Sequence, residues 1–224
     1  MTPGPTLVIK CPHCGALALQ PTCGSGNTFG ARYWTDGKMD APMLPEEPEI
    51  TRCGPCAGYY WVRTAKKVGE FDPSEDTSQV PREWLDAELV RDLAESEFLQ
   101  AIELGVMLKA NDEVYLRMHA WWVGNDRWRD LEADDALPAN TTTPEAHRAN
   151  MDKLMALLGA RGPQQRLMKA ELARELGQFD ESLRLIKTAP LDYAIAASLI
   201  REMAQAGSTQ VAEIPSVGSR RKGR

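Results

Sequence analysis

The stretch "TRCGPCAGYY", residues 51–60, holds Cys53 and Cys56 two residues apart. Such a pair is either a reactive dithiol or half of a metal site, and the two readings demand different neighbours. A reactive pair sits at the start of a helix, whose N-terminus stabilises the thiolate. Here Cys56 is followed by Ala-Gly-Tyr-Tyr-Trp-Val, aromatic and β-branched residues that favour a strand. A second pair, Cys11 and Cys14 in "CPHCG", lies upstream with 38 residues between the pairs, before "ALALQPTCGSG", which is too short and broken for a long helix. No βαβ pattern surrounds either pair. Two such turns, brought together by a hairpin, supply four sulfurs to one tetrahedral cation at about 2.3 Å each. The expected ligands are therefore Cys11, Cys14, Cys53 and Cys56, and the expected cofactor is one zinc ion.

Four thiolates leave no open coordination position, whereas catalytic zinc keeps one for water. The ion is thus read as structural, supplying stability that a small module with few large aliphatics lacks. His13 lies inside its turn and should point away from the metal, and Cys23, without a CxxC partner, reads as a free thiol. A thiol oxidoreductase using Cys53 and Cys56 is the competing reading that fails on these neighbours.

Outward from the cysteines, residues 1–68 read as short strands and turns: "TLVIK" (6–10), "ARYWT" (31–35) before the Asp36-Gly37 turn, and "GYYWVRT" (58–64). Three prolines bar residues 40–48 from a central strand or a helix. Residues 69–80, polar, acidic and broken by Pro73, read as a linker. From Pro81 to 206 the pattern is helical. Trp84, Leu85, Leu89 and Leu93 predict a first helix; Ser96 and Asn111 or Asp112 are expected caps. Thr143, Pro144 and Gly159, then Pro163 and Gly177, frame two more helices, and "DESLRLIKTA" and "LDYAIAASLIREMAQ" complete the series. Residues 207–224, short of large apolar side chains, read as a disordered tail.

Charge narrows the function. Residues 71–205 hold 15 Lys and Arg against 25 Asp and Glu, so this part argues against broad nucleic-acid contact. The first 70 residues are balanced, 7 against 6, and mix basic and aromatic side chains. Arg32, Trp34, Trp61 and Arg63 are the candidates for stacking and clamping a single strand, with packing of a small core as the competing explanation. "CGSGNTFG" (23–30) lacks the Gly-Lys-Ser/Thr of a phosphate loop. His119 and His147 show no triad-like neighbours, and Asp134-Asp135 reads as a solvated turn. No basic-then-apolar leader and no run near 20 apolar residues is visible, which gives the expectation of a cytoplasmic protein with no membrane contact and no small-molecule substrate.

Several resemblances attach to these motifs. CGPC resembles the thioredoxin motif, and CPHC that of oxidising thioredoxin-fold enzymes. The paired knuckles over residues 7–63 resemble zinc ribbons, implying a non-enzymatic metal module. "RELGQFDESLRLIKTA" (174–189) resembles the turn of a tetratricopeptide repeat, with Ala170, Gly177, Phe179, Ser182, Ile186 and Ala189 at its small, glycine, aromatic and bulky positions; Lys169 and Ala173 depart from it. Stacked pairs of that kind present a concave surface to peptides or proteins, implying a protein partner. The whole chain is similar to bacterial zinc-ribbon proteins carrying "SGNT-G" and "W-DG" (Ser25–Thr28, Gly30, Trp34, Asp36, Gly37) ahead of a helical, repeat-like part with "WWVGNDRWR". The resemblance implies architecture and no activity. The expected fold is α+β: a small N-terminal β zinc ribbon followed by an all-α, tetratricopeptide-like domain acting as a protein-binding adaptor, with nucleic-acid binding by the ribbon as the alternative.

Overall fold

The computed structural model describes residues 1–129, 142–159, 162–187 and 189–215. The predicted turn at Asp134-Asp135 and residues 216–224 of the predicted tail lie outside the described residues. The strands are β1 (Thr2–Pro3), β2 (Thr6–Lys10), β3 (Leu17–Gln20), β4 (Cys23–Ser25), β5 (Arg32–Tyr33), β6 (Met39–Asp40), β7 (Ile50–Arg52), β8 (Tyr59–Trp61), β9 (Lys66–Phe71) and β10 (Glu88–Leu89). The helices are α1 (Arg82–Leu85), α2 (Glu95–Glu103), α3 (Ala110–Asn125), α4 (Pro144–Leu157), α5 (Pro163–Glu175), α6 (Phe179–Ile186) and α7 (Ala194–Gln205). The chain is mixed α+β, with small strands towards the N-terminus and helices beyond. Among the described residues, no helix is long and apolar enough to cross a membrane.

The chain forms two compact units: residues 1–31 with 41–93, and residues 32–40 with 94–224. In the first, a four-stranded sheet runs in the order β10-β3-β2-β9. Val8 and Ile9 are buried on β2, as the β-branched run predicts. Its core gathers Ile9, Tyr60, Val62 and Val90 around Cys11 and Cys53.

The predicted linker shifts. Residues 69–71 belong to β9, which pairs antiparallel with β2. Gly69 is there because any Cβ would collide with the Trp84 ring. The predicted first helix is also shorter. After the single turn of α1, Glu88 and Leu89 pair parallel with Ala18 and Leu19, extending the sheet, so the first unit runs to Leu93. Apolar spacing at 84, 85, 89 and 93 fits a helix, but sheet pairing outweighs propensity over so short a run.

In the second unit, Trp121 packs with Met151, Leu154 and Leu158 of the α4 region and with Leu172 and Leu176 of the α5 region. A further cluster joins Ala170 of α5, Ile186 of α6, and Ala197 and Ile200 of α7. Thr143 caps α4 by accepting the Ala146 N–H, with Pro144 at the first position, as expected. Gly177 takes φ +78° after α5, where a left-handed residue ends the helix. The other expected caps move. Ala94 precedes α2, with its N–H bonded to Glu97, and Lys109 precedes α3, with its N–H bonded to Asp112.

The hairpin at Asp36-Gly37 belongs to this helical unit, not to the N-terminal one. One Asp36 oxygen accepts the Lys38 N–H within the turn. The other meets Asn125 Nδ2 at 3.0 Å and Arg129 Nη2 at 2.5 Å. Trp122 Nε1 donates to the Asp36 carbonyl at 3.0 Å. The tail also folds back as far as described. Arg174 donates to the carbonyls of Ser208 and Gln210, and the Ile214 N–H donates to Tyr33 at 2.7 Å. Residues 208–214 are thus an ordered strap on the helical unit.

Candidate metal centre

Both knuckles are six-residue loops closing a hairpin. In the first, Lys10 pairs with Leu17, and the Cys11 N–H donates to the Ala16 carbonyl at 2.8 Å. In the second, Arg52 pairs with Tyr59, and the Cys53 N–H donates to the Gly58 carbonyl at 2.9 Å. The residue after the second cysteine of each is left-handed: Gly15 at φ +75° and Ala57 at φ +56°. That conformation is free for glycine and strained for alanine. Replacing Ala57 by glycine is expected to raise the stability of the metal-loaded chain by roughly 0.5–1 kcal/mol, seen as a higher urea midpoint. A lowered midpoint would refute the strain at Ala57.

The four sulfurs of Cys11, Cys14, Cys53 and Cys56 all lie within 4.8 Å of one another. Two approaches join one knuckle to the other: Cys11 to Cys56 at 3.8 Å and Cys14 to Cys53 at 3.7 Å. A tetrahedron with arms of about 2.3 Å has edges of about 3.8 Å. The donor set therefore fits a four-thiolate cation site. Cys11 and Cys53 are buried and Cys14 and Cys56 exposed, so the site sits at the rim of the core.

Electrostatics sharpen the case for a cation. The Gly58 N–H points at the Cys56 sulfur and brings this thiol down to about 7. Burial pushes Cys53 up to about 12. Burial and then the neighbouring thiolates push Tyr60 up to about 12. Four sulfurs this close repel as thiolates, and a divalent ion removes that repulsion.

The neighbours read from sequence fall as follows. His13 Nε2 donates to the Tyr59 carbonyl at 2.9 Å, and His13 is not among the four clustered donors. Cys23 stands apart on β4, its N–H bonded to Glu47. Behind Cys56 comes β8, so no helix N-terminus faces this thiol, and the Gly58 N–H of the knuckle lowers it instead.

The basic–aromatic candidates are divided between the two units. Trp61 is 2% exposed, with Arg63 at 3.9 Å from its ring centre; Trp34 is 4% exposed, with Arg32 and Arg129 over its ring. Both indoles serve as packing in the described structure.

Sequence reading missed two groupings. His147, which shows no triad-like neighbours along the chain, has Nδ1 2.6 Å from Glu95, 52 residues earlier. Asp36, Trp122, Asn125 and Arg129 converge from segments over 80 residues apart, beside Glu175, which accepts from Trp121 and Asn125. The "W-DG" and "WWVGNDRWR" stretches carried the residues, but nothing local marks them as partners. His119 stacks on Tyr115 at 4.0 Å, and burial lowers its pKa to about 4.

Comparison with protein-family models, with curated proteins and with solved structures finds no match to this chain.

Proposed function

We propose that this chain is a non-enzymatic adaptor of the cytoplasm, in which one zinc ion held by Cys11, Cys14, Cys53 and Cys56 shapes a ribbon and the helical unit docks another protein. The observation that carries the reading is the spacing of the four sulfurs, which matches the edge of a thiolate tetrahedron. Four protein ligands complete that tetrahedron, so the ion has a folding role and offers no site for substrate.

For the helical unit, a tetratricopeptide-like scaffold is the reading. Its support is the α5–α6 pair, closed by Gly177, with Ala170 and Ser182 buried where close helix approach needs small residues. Apolar side chains also remain on its surface: Leu191 is 91% exposed and Ile195 46%. A partner held there would be lost on changing both to aspartate, with the helical circular dichroism retained.

The decisive measurement is elemental analysis with a thiol count. One zinc per chain is expected, with one thiol reactive in the native protein and five after denaturation in chelator. Metal-free protein that keeps its fold, or iron in place of zinc, would overturn the assignment.

A further inference from the structure

The four sulfurs divide into a wet half and a dry half. Cys14 and Cys56, one from each knuckle, are exposed, and Cys11 and Cys53 are buried. The close approaches between knuckles each join an exposed sulfur to a buried one: Cys56 to Cys11 at 3.8 Å, and Cys14 to Cys53 at 3.7 Å. A hydroperoxide arriving from solvent oxidises exposed thiolates first. In each knuckle it therefore meets a sulfur that already has a second sulfur beside it. A disulfide needs about 2.05 Å, so each pair closes by less than about 2 Å.

Chain separation favours the same pairing. Cys11 and Cys56 are 45 residues apart, and Cys14 and Cys53 are 39 apart. A bond across so long a loop restricts the unfolded chain more than one inside a CxxC turn. It also ties together the two hairpins that a shared cation ties.

We infer that the centre is a peroxide-sensitive switch: oxidation joins Cys11 to Cys56 and Cys14 to Cys53, the zinc ion leaves, and the disulfides hold the knuckles together in its place. This rests on the zinc reading of the four sulfurs given above. The Cys56 thiolate attacks one oxygen of hydrogen peroxide; an S–O bond forms, the O–O bond breaks, and hydroxide leaves. The Cys11 thiolate then attacks the Cys56 sulfur; the S–S bond forms, the S–O bond breaks, and a second hydroxide leaves. Two thiolates, one hydrogen peroxide and two protons give one disulfide and two waters, with two electrons passing from sulfur to oxygen. Two remaining thiolates do not complete the zinc tetrahedron, so the ion dissociates. A second peroxide oxidises Cys14 and Cys53 in the same way.

The test adds hydrogen peroxide to the reduced, zinc-loaded, full-length chain and follows zinc with a chromogenic chelator. Zinc release is expected at least about tenfold faster than without peroxide. The near-ultraviolet signal of the buried Tyr59, Tyr60 and Trp61 is expected to persist, whereas stripping the reduced chain with chelator abolishes it. Cys23→Ser, which lies outside the four, is expected to release zinc as wild type does and removes the remaining thiol from the disulfide map. Trypsin cuts after Lys10, Arg32, Arg52 and Arg63, which puts the two cysteine pairs on separate peptides, 11–32 and 53–63. The expected product is these two peptides covalently linked, with fragmentation placing the bonds at Cys11–Cys56 and Cys14–Cys53. Zinc retained in peroxide, any other pairing of the four, loss of the near-ultraviolet signal on oxidation, or release abolished by Cys23→Ser overturns the switch. Zinc content measured before peroxide tests the reading of the centre separately, so the two failures are told apart.

Discussion

Replacing Cys56 by serine is expected to release the metal and unfold the N-terminal unit while leaving the helical unit intact. Cys56 is the informative ligand because it is exposed. A Cys→Ser change there removes almost no buried apolar surface, so packing loss cannot account for a large effect. Cys53, buried in the core cluster, would confound the two. Structural zinc contributes on the order of 10–16 kcal/mol in small zinc modules, so loss of one of four thiolates removes several kcal/mol, more than a small unit has in reserve. The expected readouts are metal content falling from one per chain towards zero, and loss of the near-ultraviolet signal of Tyr59, Tyr60 and Trp61. The far-ultraviolet helical signal is retained. Cys23→Ser is the control, expected within about 0.5 kcal/mol of wild type. A Cys56→Ser protein that keeps one tightly held ion and its urea midpoint would refute the four-thiolate site.

What was readable in the chain divides by range. The knuckles were readable because their chemistry is local. CxxC spacing, a glycine or small residue after it and a β-prone run behind it all fall within ten residues. The capped helices α4 and α5 were readable for the same reason, since Thr143, Pro144, Pro163 and Gly177 act within one turn of where they stand. Apart from the two shifted helix caps, the errors involve residues whose partners are distant. Residues 69–71 of β9 look like linker because they open a polar, acidic run broken by Pro73; their strand character comes from pairing with β2, about sixty residues away. The strap at 208–214 looks like tail because its order comes from Arg174 and from the β5 hairpin, not from apolar residues of its own. The hairpin at Asp36 looked like part of the ribbon because it lies between the two cysteine pairs. Sequence order placed it there, but hydrogen bonds to α3 and Arg129 place it in the helical unit.

Asp36→Ala is the second large expected effect, and it follows from that misplacement. An Asp-Gly turn explains an aspartate without further partners, since its carboxylate caps the turn. Here the carboxylate is fully buried and also faces the Arg129 guanidinium, whose side chain is 4% exposed. Removing one member of such a pair strands the other as a buried charge, which costs about 3–5 kcal/mol. Asp126, at 2.8 Å from Arg129 Nε, is 41% exposed and compensates only in part. The expected result is a lower urea midpoint for the helical unit, followed by the fluorescence of Trp121 and Trp122, with metal content unchanged at the cysteine site. Asp36→Asn keeps one acceptor oxygen, for the turn or for Asn125 and Arg129 but not for both, and is expected to lose less than alanine, about 1–3 kcal/mol. Arg129→Met in the Asp36→Ala background should recover part of the loss, because it removes the stranded charge while filling its space. If the single variants each destabilise and the double variant is the sum of both, the two residues are not coupled, and the hairpin is held to the helices by its tryptophan and backbone contacts instead.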